Sequence, residues 1–162
     1  QTLLLGKVSS QLNRATELCE DGKCLEALKC YDEVLCAEPN NTDAIINKGV
    51  ILQNLGHLKQ AIHMYEKALI FEPENLDALI NKGSTLHTMG KHAEAISCYN
   101  VVLRLDKKNP MALAYKGLSV AEIGKISLAL KYFKQALSID HDYDLAEISI
   151  ETIKNITKLH SK

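Results

Sequence analysis

A chain of 162 residues with 46% hydrophobic and 24% charged residues has the balance of a folded domain and not of a disordered segment. Its formal net charge of −1 gives no electrostatic hold on DNA, RNA or anionic lipid. No apolar run approaches the roughly 18 residues needed to span a bilayer. Aromatic residues make up only 5% and Trp is absent, so a core must be built from Leu, Ile, Ala and a few Tyr.

The chain begins at Gln1 instead of Met and so reads as a piece of a longer protein. The segment TLLLG near the start is too short and too poorly flanked for a signal peptide. Five cysteines, Cys19, Cys24, Cys30, Cys36 and Cys98, are odd in number and show no CxxC spacing. They read as free thiols used as small apolar residues in a reducing compartment. The expected location is the cytoplasm, with the nucleus also open. Asn40-Asn41-Thr42 and Asn155-Ile156-Thr157 are glycosylation sequons only in a secreted chain.

Residues 1–7 are expected to lengthen a first helix at its amino end. From there the sequence repeats itself every 34 residues, as copies 8–41, 42–75, 76–109 and 110–143 without insertion. Gly22, Gly56, Gly90 and Gly124 form one column, Ala27, Ala61, Ala95 and Ala129 a second, and Tyr31, Tyr65, Tyr99 and Phe133 a third. In copy two, Ile45, Gly49, Leu52 and Leu55 alternate at four and three residues, and Leu58, Ala61, Ile62, Tyr65, Ala68 and Leu69 do so after them. Each copy therefore reads as two helices. Gly56 and its equivalents stand where a positive φ closes the first helix. Asn109-Pro110 marks a helix start, with Asn109 as cap, and Asp43 and Asp77 suit helix amino ends.

Ala15, Gly49, Gly83 and Gly117 fall in mid-helix, where Gly costs about 1 kcal/mol relative to Ala. Close approach of a partner helix explains them, and Ala27, Ala61, Ala95 and Ala129 are the matching small residues. Val34, Ala68, Val102 and Ala136 form a further small column suited to face the following copy, with the aromatic column as the bulky wedge. The tail, about 143–160, keeps a helical period with Leu145, Ile148, Thr152, Ile156 and Leu159 on one stripe. Glu147 and Glu151 stand where a fifth copy would need an aliphatic residue and a Gly. The tail thus reads as a capping helix with its apolar face on copy four.

The pattern Gly49-x-x-Leu52-x-x-x-Gly56-x4-Ala61-x3-Tyr65-x2-Ala68-x4-Pro73, with its copies, resembles the tetratricopeptide repeat family. The resemblance covers residues 8 to about 143. It implies an all-α, right-handed α-solenoid superhelix of four helix-turn-helix repeats plus the capping helix, one domain over 1–162. There are two departures. The large aromatic usual near the start of the first helix is replaced by Ile45, Leu79 or Leu113, and the repeat-ending Pro39 and Pro73 give way to Lys107 and His141.

Catalysis finds no support in the residues. Cys19 and His87 share a column but stand two copies apart, about 20 Å by the spacing of packed helices, beyond the reach of a nucleophile and its base. His57, His63 and His92 are scattered, with no HExxH and no paired Cys for zinc. No Gly-rich phosphate loop occurs. The expectation is a non-enzyme with no cofactor and no metal.

The resemblance assigns the first helices to a concave groove. Its expected lining is Leu12, Ile46 and Ile80, then Asn13, Asn47, Asn81 and Tyr115, then Val50, Ser84 and Leu118, with Gln53 and His87 beyond. A carboxamide offers a donor and an acceptor side by side, which suits the backbone of an extended peptide. The Asn column is similar to the asparagine ladder of the O-linked N-acetylglucosamine transferase repeats and to Asn in kinesin light chain. It reads equally as helix-surface amides bonded to a neighbouring repeat. The clamp for chaperone carboxyl-terminal tails is disfavoured, because Leu12, Asp77 and Asn81 occupy its cationic positions and Asp43 and Asp77 would repel an acidic tail. Arg14, Lys48, Lys82 and Lys116 read as snorkelling stems with solvated heads.

The function expected is a protein-interaction scaffold that takes an extended or helical partner segment in this groove. The alternatives are a targeting or regulatory domain cut from a larger multidomain enzyme, and a self-associating module paired through apolar helix surfaces such as Leu3, Leu4 and Leu5.

Overall fold

The structure is a computed structural model that describes residues 2–159. Among the described residues it is all-helical: α1 (Thr2–Glu20), α2 (Cys24–Ala37), α3 (Thr42–Asn54), α4 (Leu58–Phe71), α5 (Leu76–Thr88), α6 (His92–Leu105), α7 (Pro110–Glu122), α8 (Ile126–Ile139) and α9 (Asp144–Leu159). Starting at Thr2, α1 is longer at its amino end than α3, α5 and α7. The chain falls into two compact units, residues up to Asn81 and residues from Lys82.

Each helix pair is closed by the same backbone device. Gly56 adopts φ +80°, which an L side chain resists, and Gly22, Gly90 and Gly124 follow it. The amide after each Gly then reaches back across the helix end, as in His57 N to Leu52 O at 2.8 Å and Lys91 N to Leu86 O at 2.9 Å. This satisfies a carbonyl that the helix itself leaves open.

The turns between pairs turn on an asparagine. Asn41 Oδ1 accepts from Ala44 N at 3.0 Å, Asn75 Oδ1 from Ala78 N at 2.9 Å and Asn109 Oδ1 from Ala112 N at 2.9 Å. The same side chains donate through Nδ2 to Glu38 at 2.8 Å, Glu72 at 2.7 Å and Asp106 at 3.1 Å. One amide thus caps the coming helix and ties down the acid that ended the last. The bond from Asn75, followed by one from Thr42, holds the Glu72 carboxyl below its usual range. Where Pro is missing, an aspartate shapes the turn. Lys108 N donates to Asp106 Oδ1 at 3.1 Å and Asp142 N to Asp140 Oδ1 at 3.2 Å, an Asx turn in place of a fixed proline φ.

The mid-helix glycines do face a close neighbour, but it is the aromatic column and not the alanines. A Cβ on Gly49 would lie 2.7 Å from Tyr65 Cε1, one on Gly83 2.6 Å from Tyr99 Cε1, and one on Gly117 2.7 Å from Phe133 Cε1. In all three pairs the ring of the second helix fills the space of the missing side chain. Tyr65, Tyr99 and Phe133 are each 0% exposed as a result. The small column serves the next pair: Val34 shares a cluster with Ala44 and Ile51 of α3.

The capping stripe of the tail is also corrected. The face of α9 that packs on α7 and α8 is Ala146, Ile150 and Ile153, with Leu145 half-buried at its edge. Ile148 is 61% and Ile156 50% exposed. Ala146 continues the column Ala44, Ala78, Ala112, all 0% exposed, and that small residue sets the roll of the helix so that the Ile148 side turns outward.

Gly83→Ala tests the ring contact. Helix propensity alone predicts a gain of about 1 kcal/mol, whereas overpacking against Tyr99 Cε1 and Cζ costs about 1–3 kcal/mol. We expect a net loss of stability in urea unfolding, and a gain would overturn the account.

Candidate binding face

In the unit up to Asn81, Asn13 of α1 and Asn47 of α3 are exposed and Asn81 of α5 is half-buried. Leu12, Val50 and Gln53 are half-buried beside them. Ile46 and Ile80 are not part of the surface. At 6% and 5% exposure they belong to the core, Ile46 in the cluster that holds Tyr65 and Ala78. Position on a helix puts a residue on a face but does not say whether it is reached, so these two are withdrawn as partner contacts.

Several of the expected site residues have work inside the fold. Gln53 Oε1 accepts from the Tyr65 hydroxyl at 2.9 Å. Asn47 lies near the Tyr31 hydroxyl of the preceding pair, as do Thr16 and Cys19, and acts on its titration. Burial raises the Tyr31 hydroxyl above its usual range, as it does the Cys19 thiol. The basic column is engaged too: Lys48 pairs with Asp32, and Lys116 Nζ lies 4.4 Å from the Tyr132 ring centre.

In the unit from Lys82, Tyr115, Leu118, Ser84 and His87 are half-buried. Tyr115 stacks on Tyr99, ring centres 6.1 Å apart. His87 Nδ1 is 2.9 Å from Ser119 Oγ, and its ring meets His92 edge-on at 4.9 Å. Burial first, then His92, lowers the His87 pKa, against a smaller opposing pull from Glu122.

One relation escaped the sequence reading. In the first two pairs the aromatic hydroxyl meets the residue twelve positions upstream. Tyr65 finds Gln53 and Tyr31 finds Cys19. In the last pair both groups are gone together, as Phe133 and Ala121. In the third pair His87 turns to Ser119 instead, and the fully buried Tyr99 hydroxyl has no hydrogen-bond partner among the described residues. Burial pushes its pKa up. Lining up the two columns, Cys19/Gln53/His87/Ala121 against Tyr31/Tyr65/Tyr99/Phe133, would have shown it.

Among the described residues no group of three or more His, Cys, Asp or Glu is placed to hold a metal ion. No helix among them is long and apolar enough to cross a membrane.

The tetratricopeptide repeat profile matches residues 46–110 and 88–144. The chain belongs to the tetratricopeptide repeat family. No curated protein sequence matches it. Among solved structures it is similar to MamA from Desulfovibrio magneticus RS-1, with TM-score 0.76 and 19% identity, over 96% of each chain. A crystal structure of MamA protein superposes with TM-score 0.75 at 20% identity, over 86% of this chain and 76% of that one. A tetratricopeptide repeat protein from Parabacteroides merdae gives TM-score 0.76 at 21% identity, over 88% of this chain and 57% of that one. At these identities the likeness is one of fold.

Two predictions follow from the hydroxyls and the histidine. Tyr99→Phe removes an unsatisfied buried group and should stabilise by about 1 kcal/mol, while Tyr65→Phe breaks the bond to Gln53 and should destabilise by about 0.5–1.5 kcal/mol in urea unfolding. His87 is held neutral by the fold, so the unfolded chain binds its proton at higher pH. Stability should therefore fall as pH drops below the ordinary His value near 6.5 and level off below the folded pKa. His87→Gln should flatten that part of a melting-temperature profile between pH 7.5 and pH 5. An unchanged slope would remove His87 as its source.

Proposed function

We propose that the chain is a non-catalytic protein-interaction scaffold that holds an extended or helical segment of a partner protein on the face formed by its first helices. The observation that carries this reading is the polar row on α1 and α3, Asn13 and Asn47, exposed beside the half-buried Leu12 and Val50. Side-chain amides supply paired donors and acceptors for peptide backbone, and the aliphatic edge takes an apolar side chain. Asn81 at the start of α5 extends the same column. The proposed segment is neutral or basic, since Asp43 and Asp77 remain exposed on this face and would meet an acidic chaperone tail unpaired. Membership in a family built of repeated helix pairs supports a scaffold role over an enzymatic one.

Selection of a displayed peptide library on the chain, followed by calorimetry with the recovered peptides, tests this. Asn13→Ala with Asn47→Ala should weaken binding at least ten-fold, about 1.4 kcal/mol, with the fold retained by circular dichroism. Tyr31→Phe removes the internal partner of Asn47 and should leave binding in place. Equal affinity of the Asn variant would sink the proposal, and loss on Tyr31→Phe alone would assign Asn47 to the fold.

A further inference from the structure

We propose that Cys19 and Cys24 are a redox-active dithiol, which closes to a disulfide across the turn of the first helix pair when oxidised glutathione is present. The inference does not depend on the function proposed above.

Cys19 stands one residue before the end of α1, and Cys24 is the first residue of α2. The turn between them is tight. Gly22 N donates to Cys19 O at 3.0 Å and Lys23 N to Leu18 O at 2.8 Å, with Gly22 at φ +74°. Both side chains are half-buried against one cluster, which holds Leu18, Ala27 and Tyr31. What such a turn does to side chains five residues apart is visible in the third pair. There His87 and His92 hold the equivalent positions, Lys91 N reaches Leu86 O at 2.9 Å in the same closure, and the two ring centres lie 4.9 Å apart. Cys24 also acts directly on Cys19. Burial first, then the charge of Cys24, raises the Cys19 thiol above its usual range.

Packing alone does not call for sulfur here. Leu58 and Ile126 stand at the position of Cys24 in the second and fourth pairs, opposite Gln53 and Ala121. The remaining cysteines are placed differently. Cys30 also acts on Cys19 but is only 5% exposed, Cys36 is exposed near the end of α2, and Cys98 belongs to α6.

Burial keeps Cys19 as a thiol, so the reaction opens at Cys24. Its thiolate attacks one sulfur of oxidised glutathione, the glutathione S–S bond breaks, and one glutathione leaves as thiolate. Cys19 then gives its proton to solvent, its sulfur attacks Cys24 Sγ, and the second glutathione leaves. The two protein thiols lose two electrons, and one glutathione disulfide becomes two glutathione thiols. The new bond draws Cys19 from the Tyr31 hydroxyl, beside which it lies when reduced, and links α1 to α2 covalently.

The whole chain carrying Cys36→Ser, a change at an exposed position, is equilibrated in glutathione buffers from fully reduced to fully oxidised, quenched and mapped with trypsin. Lys23 separates the two cysteines, so the bond appears as residues 15–23 joined to residues 24–29, one species that splits on reduction. In oxidised buffer this should be the main product. Cys19→Ser should stop at glutathione held on Cys24, and Cys24→Ser should slow the reaction of Cys19 at least ten-fold. The effective concentration for closure should be at least ten-fold higher in the folded chain than in urea, because the turn holds the two side chains together. A chain that keeps both thiols free in oxidised buffer overturns the proposal. So does a glutathione adduct that never closes, or a bond from Cys19 to Cys30. Closure no more favourable in the folded chain than in urea also overturns it, since sequence spacing alone would then account for the bond.

Discussion

The contact on which the fold depends is an aromatic ring seated on a bare backbone. At Gly49, Gly83 and Gly117 the neighbouring ring comes so near that a methyl group would sit 2.6–2.7 Å from a ring carbon. No rotamer change in a fully buried Tyr or Phe relieves that. The glycine therefore costs helix propensity in its own helix and returns it as ring burial between the two helices. Repetition of that exchange is what holds each helix pair at one separation. The first pair departs, with Ala15 in the glycine column, and its Tyr31 is still buried.

Around that contact the chain solves a second problem, polar groups stranded by burial. The residue of the aromatic column brings a hydroxyl with it in three pairs of four. Gln53 and Cys19 answer it, and the last pair dispenses with both hydroxyl and partner. Only the third pair leaves the matter open, because His87 is taken by Ser119, itself a buried polar residue in need of a partner. The turns show the same economy. Each of Asn41, Asn75 and Asn109 uses both ends of its amide, one for the next helix and one for the acid behind it.

The face proposed for a partner was legible only in outline. Columns spaced by 34 residues name which residues share a helix face, and Asn13, Asn47, Leu12 and Val50 were named that way. Ile46 and Ile80 were named by the same rule and lie inside, since the rule carries no account of burial. On α9 the error ran the other way. Ile148, Thr152 and Ile156 of the stripe expected to be buried are exposed, because a short amphipathic helix with apolar residues on more than half its circumference can seat by either part of that surface. Ala146 decides between them, being small enough for close contact.

By itself the sequence determined that the chain is all-helical, that its helices come in pairs, and where each pair closes and the next begins. Those features are set by local chemistry: positive-φ glycines, asparagine caps and an apolar period, all repeated in register. It also announced, through three mid-helix glycines, that something must approach the backbone closely. What only the tertiary structure decided is which groups meet. That the rings and not the alanines fill the glycine space, that Asn47 reaches Tyr31, that His87 leaves Tyr99 without a partner, and which side of α9 faces outward all depend on how far one helix is rolled against the next. A roll of one residue is 100°, and hydrophobic burial, being non-directional, selects among such rolls only through the shape of the residues brought together.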